Sequence, residues 1–343
     1  MSSGLSLSSH RPVLVIAEIG VNHDGSVEQA MELVHAARRA GADAVKVQLF
    51  RADRLMHPSS GFAEYQQRAC ADATAADMLR RYELSEAAVR RLAGAAGELG
   101  LLFLATPFSP DDLAMIAALD LPAVKIASPD LVNKPLLRGA AELRRPMLVS
   151  TGAATMEEVA TAVGWLREWK ADFALLHCVS AYPVSPESAH LGWIGQLRQR
   201  FGVPVGYSDH ATEVSAGALA VAAGAEIIEK HLTLDRDAEG PDHQASFDVA
   251  QFTQYVRQIR AAEAMMGSGP KRVLEIEQDV RRVSRQSLVL IRPIAAGAAV
   301  AAGDLTVQRP GTGVPAADVD RFIGRRAVRP LQPGEMASWD MVA

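Results

Sequence analysis

The chain of 343 residues has a hydrophobic share of 49%, enough for one large core and a smaller one, which excludes a disordered or fibrous protein. Its net charge of −5 supplies no basic face of the kind that neutralises phosphates along a strand, so no nucleic-acid partner is expected. No apolar run approaches the ~20 residues that span a bilayer, Met1 to His10 lacks the apolar stretch of a signal peptide, and Cys70 and Cys178 are too few for a disulfide framework. No membrane partner and a cytoplasmic location are the expectation.

Short apolar runs then alternate with segments of helical period. Strands are predicted at VLVIAE from Val13, AVKVQLF from Ala44, LLFLATP from Leu101 and PAVKIAS from Pro122, then at PMLVSTG from Pro146, FALLHCVS from Phe173, PVGYSDH from Pro204 and AEIIEKH from Ala225. Helix boundaries fall between them. Ser85 precedes an Ala-rich amphipathic stretch, Thr155 and Glu158 form a capping box, and Gly41, Gly100 and Gly224 stand at helix C-termini. Eight such units in succession predict an α/β chain closed into a (β/α)8 TIM barrel over residues 11–266. An open doubly wound sheet competes, but GVNHDGS after the first strand lacks the spaced glycines of a dinucleotide fingerprint. A polar linker, residues 267–285, leads to residues 286–343, where short β runs carry a pseudo-repeat. Pro293-Ile294, Gly297 and Asp304-Leu305 echo Pro330-Leu331, Gly334 and Asp340-Met341, which predicts a small β-rich module with internal two-fold similarity.

The C-terminal ends of barrel strands build the catalytic face, and the polar residues fall there: Glu18, Lys46, Gln48, Thr106, Lys125, Ser128, Ser150, His177, Ser180, His210 and His231. His210 and His231 close adjacent apolar runs, which brings two imidazoles to neighbouring strand ends in the manner of a metal site. Alternation in Val45-Lys46-Val47-Gln48 and Val124-Lys125-Ile126 turns both lysines into the barrel mouth, because helices cover the outside. A buried lysine without a partner costs several kcal/mol, roughly 2 to 7, so two of them call for an anion such as phosphate or carboxylate. The competing reading pairs Lys46 with Glu18 and Lys125 with Asp130 as structural ion pairs. Ser150-Thr151-Gly152, with Ala153 and Ala154 leading into a helix, offers hydroxyls, amide N–H groups and a positive dipole end to an oxyanion.

A family resemblance rests on Ala17-Glu18-Ile19-Gly20-Val21-Asn22-His23, Ala42-Asp43-Ala44-Val45-Lys46-Val47-Gln48, Ala105-Thr106-Pro107-Phe108, Lys125-Ile126-Ala127-Ser128 and Ser150-Thr151-Gly152. It continues through His177-Cys178 with Tyr182-Pro183, Tyr207-Ser208-Asp209-His210, Glu229-Lys230-His231 and Gly240-Pro241-Asp242. In order and spacing, over nearly the whole chain, these motifs resemble the sialic acid synthases. Those enzymes condense phosphoenolpyruvate with an N-acetylated aminosugar (N-acetylmannosamine or a diacetamido-trideoxyhexose) and water, giving a nonulosonic acid and phosphate. The tail resembles the antifreeze-like SAF domain fused to them, through Arg309-Pro310-Gly311-Thr312-Gly313-Val314-Pro315 and Phe322-Ile323-Gly324.

The resemblance implies a divalent metal, manganese ahead of magnesium or cobalt, held by His210 and His231 and completed by waters and the sugar aldehyde oxygen. It assigns Lys46, Lys125, Ser128, Ser150, Ser180 and Ser208 to phosphoenolpyruvate, with Thr151 and Gly152 beside them, and Gln48, Tyr182 and Asp242 to the sugar. Glu18 is implied as the carboxylate near the reacting centre, for proton transfer or water orientation. A domain-swapped homodimer is implied too, with Arg309 reaching the sugar's acyl group across the interface. Ser180 stands where members using N-acetylmannosamine have Asn, and His243-Gln244 where those members are apolar, which points to legionaminic, pseudaminic or spore-coat precursors. Two other readings stay open: a Schiff-base pyruvate aldolase using Lys125 or Lys230, and a non-catalytic carbohydrate-binding protein.

Overall fold

The eight apolar runs form one closed parallel barrel in a computed structural model that describes residue 7 and residues 12–57, 60–61 and 74–343. Cys70 and, apart from Leu7, the Met1 to His10 stretch lie outside the described residues. The strands are β1 (Leu14–Gly20), β2 (Ala44–Leu49), β3 (Leu102–Pro107), β4 (Val124–Ile126), β5 (Met147–Ser150), β6 (Phe173–Cys178), β7 (Val205–Asp209) and β8 (Ile227–His231). They pair in chain order, and β8 closes on β1 with Glu18 opposite His231. Every residue of β1, β5, β6, β7 and β8 is buried, because a parallel strand in a barrel is covered on both faces.

Alternation sorts these strands into two cores. Val45, Val47, Val124, Ile126, Val149 and Leu175 face outward and pack on helix residues such as Leu33, Leu92 and Leu166. Leu14, Ile16, Ala44, Leu104, Leu148, Leu176 and Ile227 form a separate apolar cluster. Two residues further along the same inner face stand Glu18, Lys46, Thr106, Ser150, Cys178 and Glu229, so the apolar cluster floors a polar mouth at the C-terminal end.

The helix boundaries follow local chemistry. Ser85 accepts from the Ala88 N–H at the start of Glu86–Glu98, and Gly41 takes φ +88° to close Val27–Ala40. Thr155 and Glu158 form a reciprocal capping box on Met156–Glu168. That helix starts at Met156, beyond Ala153 and Ala154, with its first turn capped. Among the described residues no helix is long and apolar enough to cross a membrane.

The chain divides into two compact units between Gly267 and Ser268. In the smaller unit the helix Gln278–Ser284 is tied back by the Gly311 N–H donating to Arg282 O at 3.0 Å. Its strands β9 (Ser287–Leu290) and β10 (Leu305–Gln308) run antiparallel. The pseudo-repeat is structural: Ile294 and Leu331 pair reciprocally across it, and Gly297 and Gly334 turn with φ +81° and +88°. Leu288, Leu290, Ile294, Val300, Phe322 and Leu331 form this unit's own core.

Close approach of β7 to β8 makes Gly206 a sharp test of barrel closure. A Cβ there would stand 2.5 Å from Ile227 O and 2.8 Å from Ile227 Cβ. Gly206→Ala is expected to cost about 1–3 kcal/mol by overpacking, read as a lower denaturation midpoint in urea.

Candidate active site

The mouth is organised around four buried charges from four strands. Lys46 Nζ lies 2.7 Å from Glu18 Oε2 and 3.7 Å from Glu229 Oε2, and it donates to Thr106 Oγ1 at 2.8 Å. Lys125 Nζ lies 3.6 Å from Glu229 Oε1, to which Ser208 Oγ also donates at 3.0 Å. Asp130 instead accepts from Asn133 in the turn after β4, so the structural pairing expected for Lys125 is corrected to Glu229. Two ammoniums and two carboxylates balance within the protein, and lysine burial alone therefore does not require an outside anion.

The balance is uneven in strength. Burial pushes the Glu229 carboxyl up, but Lys125 and Lys46 outweigh it and hold the group at about 2. Burial likewise drives Glu18 up, against the pull of Lys46 and with the repulsion of Glu229, and here burial wins. Lys46 is held above its ordinary value by the same two carboxylates despite its burial, whereas burial leaves Lys125 below it.

The imidazoles lie beside this layer. His210 and His231 ring centroids are 5.5 Å apart, and Tyr182 packs 4.2 Å from the His210 ring. His210 Nδ1 sits 3.1 Å from Val179 O, an acceptor only, so Nδ1 carries the hydrogen and Nε2 keeps its lone pair. His231 Nδ1 is buried without a hydrogen-bond partner, 3.6 Å from Asp242 Oδ2. Burial, with His210 and Lys46 nearby, holds His231 well below its ordinary range and hence neutral. Burial raises Asp242 to about 6. Among the described residues no cluster of three or more His, Cys, Asp or Glu could hold a metal.

The hydroxyl side forms a tight group. Gly152 N–H donates to Ser128 Oγ at 3.0 Å, and a Cβ on Gly152 would collide with Ser180 Oγ, Ser128 Oγ and Cys178 Sγ. Ser150 Oγ is buried without a partner, while Thr151 Oγ1 is consumed by Leu176 O. Gln48 Nε2 donates to Glu18 Oε1 at 3.3 Å, and a Cβ on Gly20, φ +44°, would meet Glu18, Gln48 and Asp242 together.

Three residues, His177, Lys230 and His243, lie elsewhere than the sequence suggested. His177 faces the helix side, bonded to Ala189 O at 2.8 Å and stacked on Tyr207. Lys230 also faces outward, 3.7 Å from Asp209 Oδ1, so it is not available as a Schiff-base amine in the mouth. His243 bridges Asp24 Oδ1 at 3.0 Å and Thr233 Oγ1 at 2.7 Å instead of lining a sugar pocket. Arg309 belongs to the smaller unit, where it is exposed and, among the described residues, makes no ion pair. Glu229 is the residue that sequence reasoning passed over. Its signal was parity: with His231 facing inward, the residue two before it must face inward as well.

A closed barrel that gathers its titratable groups at one mouth is the architecture of an enzyme. Residues 33–271 match the NeuB family and residues 285–343 the SAF domain. The N,N'-diacetyllegionaminic acid synthase of Legionella pneumophila is 37% identical over 96% of this chain and 94% of its own length. A pseudaminic acid synthase of Campylobacter jejuni is 32% identical over 96% of each chain. The crystal structure of N-acetylneuraminic acid synthetase from Leptospira borgpetersenii, in complex with citrate, superposes with a TM-score of 0.73 at 32% identity, covering 82% of this chain and 95% of that one. The chain belongs to the NeuB family and ends in a SAF domain.

The carboxylate shared by two lysines predicts a coupled loss. Glu229→Ala leaves Lys125 without its ion-pair partner and is expected to cost on the order of 3–5 kcal/mol in denaturant titration, most of it recovered in Glu229→Ala/Lys125→Met. Because Glu229 is held at about 2 in the fold and a free glutamate ionises near ~4.3, its contribution is complete above that pH and fades as pH falls toward 2.

Proposed function

We propose that this chain is a nonulosonic acid synthase: it condenses phosphoenolpyruvate with an N-acetylated aminosugar and water and releases phosphate. The observation that carries this reading is one mouth in which two imidazoles 5.5 Å apart adjoin two lysines sharing Glu229. In this reading Lys46 and Lys125 receive the anionic phosphoenolpyruvate, helped by Ser128, Ser150, Ser180 and Ser208 and by the Gly152 cradle. Gln48, Tyr182 and Asp242 face the sugar.

His210 and His231 fit a divalent ion. His210 offers Nε2 because Val179 O fixes its tautomer, and His231 has a buried nitrogen with no partner. We take the ion to be manganese, with magnesium or cobalt as substitutes, since two imidazoles alone do not select. When bound it supplies Lewis acidity to the sugar aldehyde. The enol carbon C3 of phosphoenolpyruvate forms the new bond to the aldehyde carbon, whose oxygen takes a proton. Water adds at C2; one of its protons passes through Glu18 to the aldehyde-derived oxygen, and the other leaves with the phosphate as the bond between C2 and the phosphate oxygen breaks to give the keto acid. A carboxyl that burial raises above its ordinary value suits that exchange.

The sugar that fits best is a diacetamido-trideoxyhexose. Ser180 gives the pocket a short hydroxyl beside Gly152, and the 37% identical relative is named for diacetyllegionaminic acid. Arg309, exposed and unpaired among the described residues, is available to contact the acyl group of a sugar bound in a partner subunit, which makes the working form a homodimer. We propose the cytoplasm as the site of the reaction.

Three assays test this. Phosphate release across a panel of aminosugars with manganese should be greatest for the diacetamido sugar. It should vanish in His231→Ala and after chelation, while borohydride with pyruvate traps no adduct. Wild-type turnover in a folded His231→Ala protein overturns the metal role, and borohydride inactivation favours the Schiff-base alternative at Lys125. Arg309→Ala should raise the KM for the sugar about tenfold or more, the loss of one charged hydrogen bond, with the KM for phosphoenolpyruvate unchanged.

A further inference from the structure

Asp209 and Lys230 each stand one residue before an imidazole, and they are register partners on β7 and β8. Because side chains alternate, Ser208 with Glu229 and His210 with His231 project into the mouth, while Asp209 and Lys230 project to the helix-covered outside. There the two form an ion pair at 3.7 Å with both side chains 0% exposed. Asp209 accepts from the Ala211 N–H at 2.7 Å and from Tyr255 Oη at 2.6 Å. Lys230 Nζ donates to Ala211 O and lies 4.1 Å from the centre of the Phe247 ring. Phe247 N–H in turn donates to His231 O at 3.0 Å. Tyr255 is confined, since a Cβ on Gly217 would come within 2.5 Å of its Cζ.

The backbone on both sides of His210 and the carbonyl of His231 are thus tied into one buried cluster that never touches the mouth. We propose that Asp209, Lys230 and Tyr255 are positioning residues, which hold His210 and His231 at metal-binding separation from the opposite face of the sheet. The inference rests on the two-imidazole reading above. An ion with only two protein ligands has no redundancy, so any slack between the ends of β7 and β8 is felt directly in its affinity.

Electron paramagnetic resonance titration of free manganese with the full-length protein tests it, alongside thermal unfolding and phosphoenolpyruvate binding. Lys230→Met is expected to bind manganese about 10- to 100-fold more weakly, the range for lost support of metal ligands. Tyr255→Phe, which removes one hydroxyl and keeps the ring, is expected to weaken it about fivefold. Excess manganese should restore turnover in both. Wild-type manganese affinity in folded Lys230→Met and Tyr255→Phe overturns the proposal. An equal loss of phosphoenolpyruvate binding, which marks general loosening, overturns it too. If Lys230→Met does not fold, Tyr255→Phe decides alone. A wild-type protein that binds no manganese overturns the metal reading itself, and this inference with it.

Discussion

Two ammonium groups sit inside a barrel, and the molecule tolerates them because two carboxylates are buried with them. Glu18 comes from β1, Lys46 from β2, Lys125 from β4 and Glu229 from β8, so the pairing ties strand ends around and across the mouth. Isolated charges at this depth would be too costly to keep, whereas a paired set with a hydrogen-bonding serine and threonine persists. The same set gives the site its chemistry. One carboxyl is held firmly ionised and the other is raised above its ordinary value by burial.

Closure of the sheet divides labour between its two faces. Inward positions near the C-terminal ends carry serines, lysines, carboxylates and imidazoles above an apolar floor. Outward positions on the same residues' flanks carry the Asp209, Lys230 and Tyr255 cluster, and His177 with its aromatic neighbours. Polar residues on the outer face are fully paired beneath helices, which makes them part of the frame. Among the described residues, Ser150 Oγ and His231 Nδ1 are buried in the mouth without a hydrogen-bond partner, as Asn22 Oδ1 and Arg236 Nε are elsewhere. A buried polar atom that the fold leaves unsatisfied calls for a partner, whether a water, an ion or a ligand.

Much of this was legible in the chain itself. Eight apolar runs with intervening helix caps led to the barrel, and alternation around Lys46 and Lys125 led to their burial in the mouth. The pairing of Lys125 was not legible, because Asp130 is near in sequence but held by Asn133, while Glu229 is about a hundred residues away and arrives only when β8 swings past β4. Lys230 and His243 misled for a related reason. Each adjoins a site residue in sequence, yet a one-residue step on a strand, or one turn of a loop, points it to another surface.

The sequence by itself determined the succession of eight strands, the pair of imidazoles at adjacent strand ends and the membership in a family of synthases, since all of these depend on periodicity and on motifs read along the chain. Only the tertiary structure decided which charges neutralise each other, which imidazole nitrogen is free and which face each polar residue serves. Those depend on distances between segments far apart in the chain, and a closed sheet sets such distances only once its first and last strands have met.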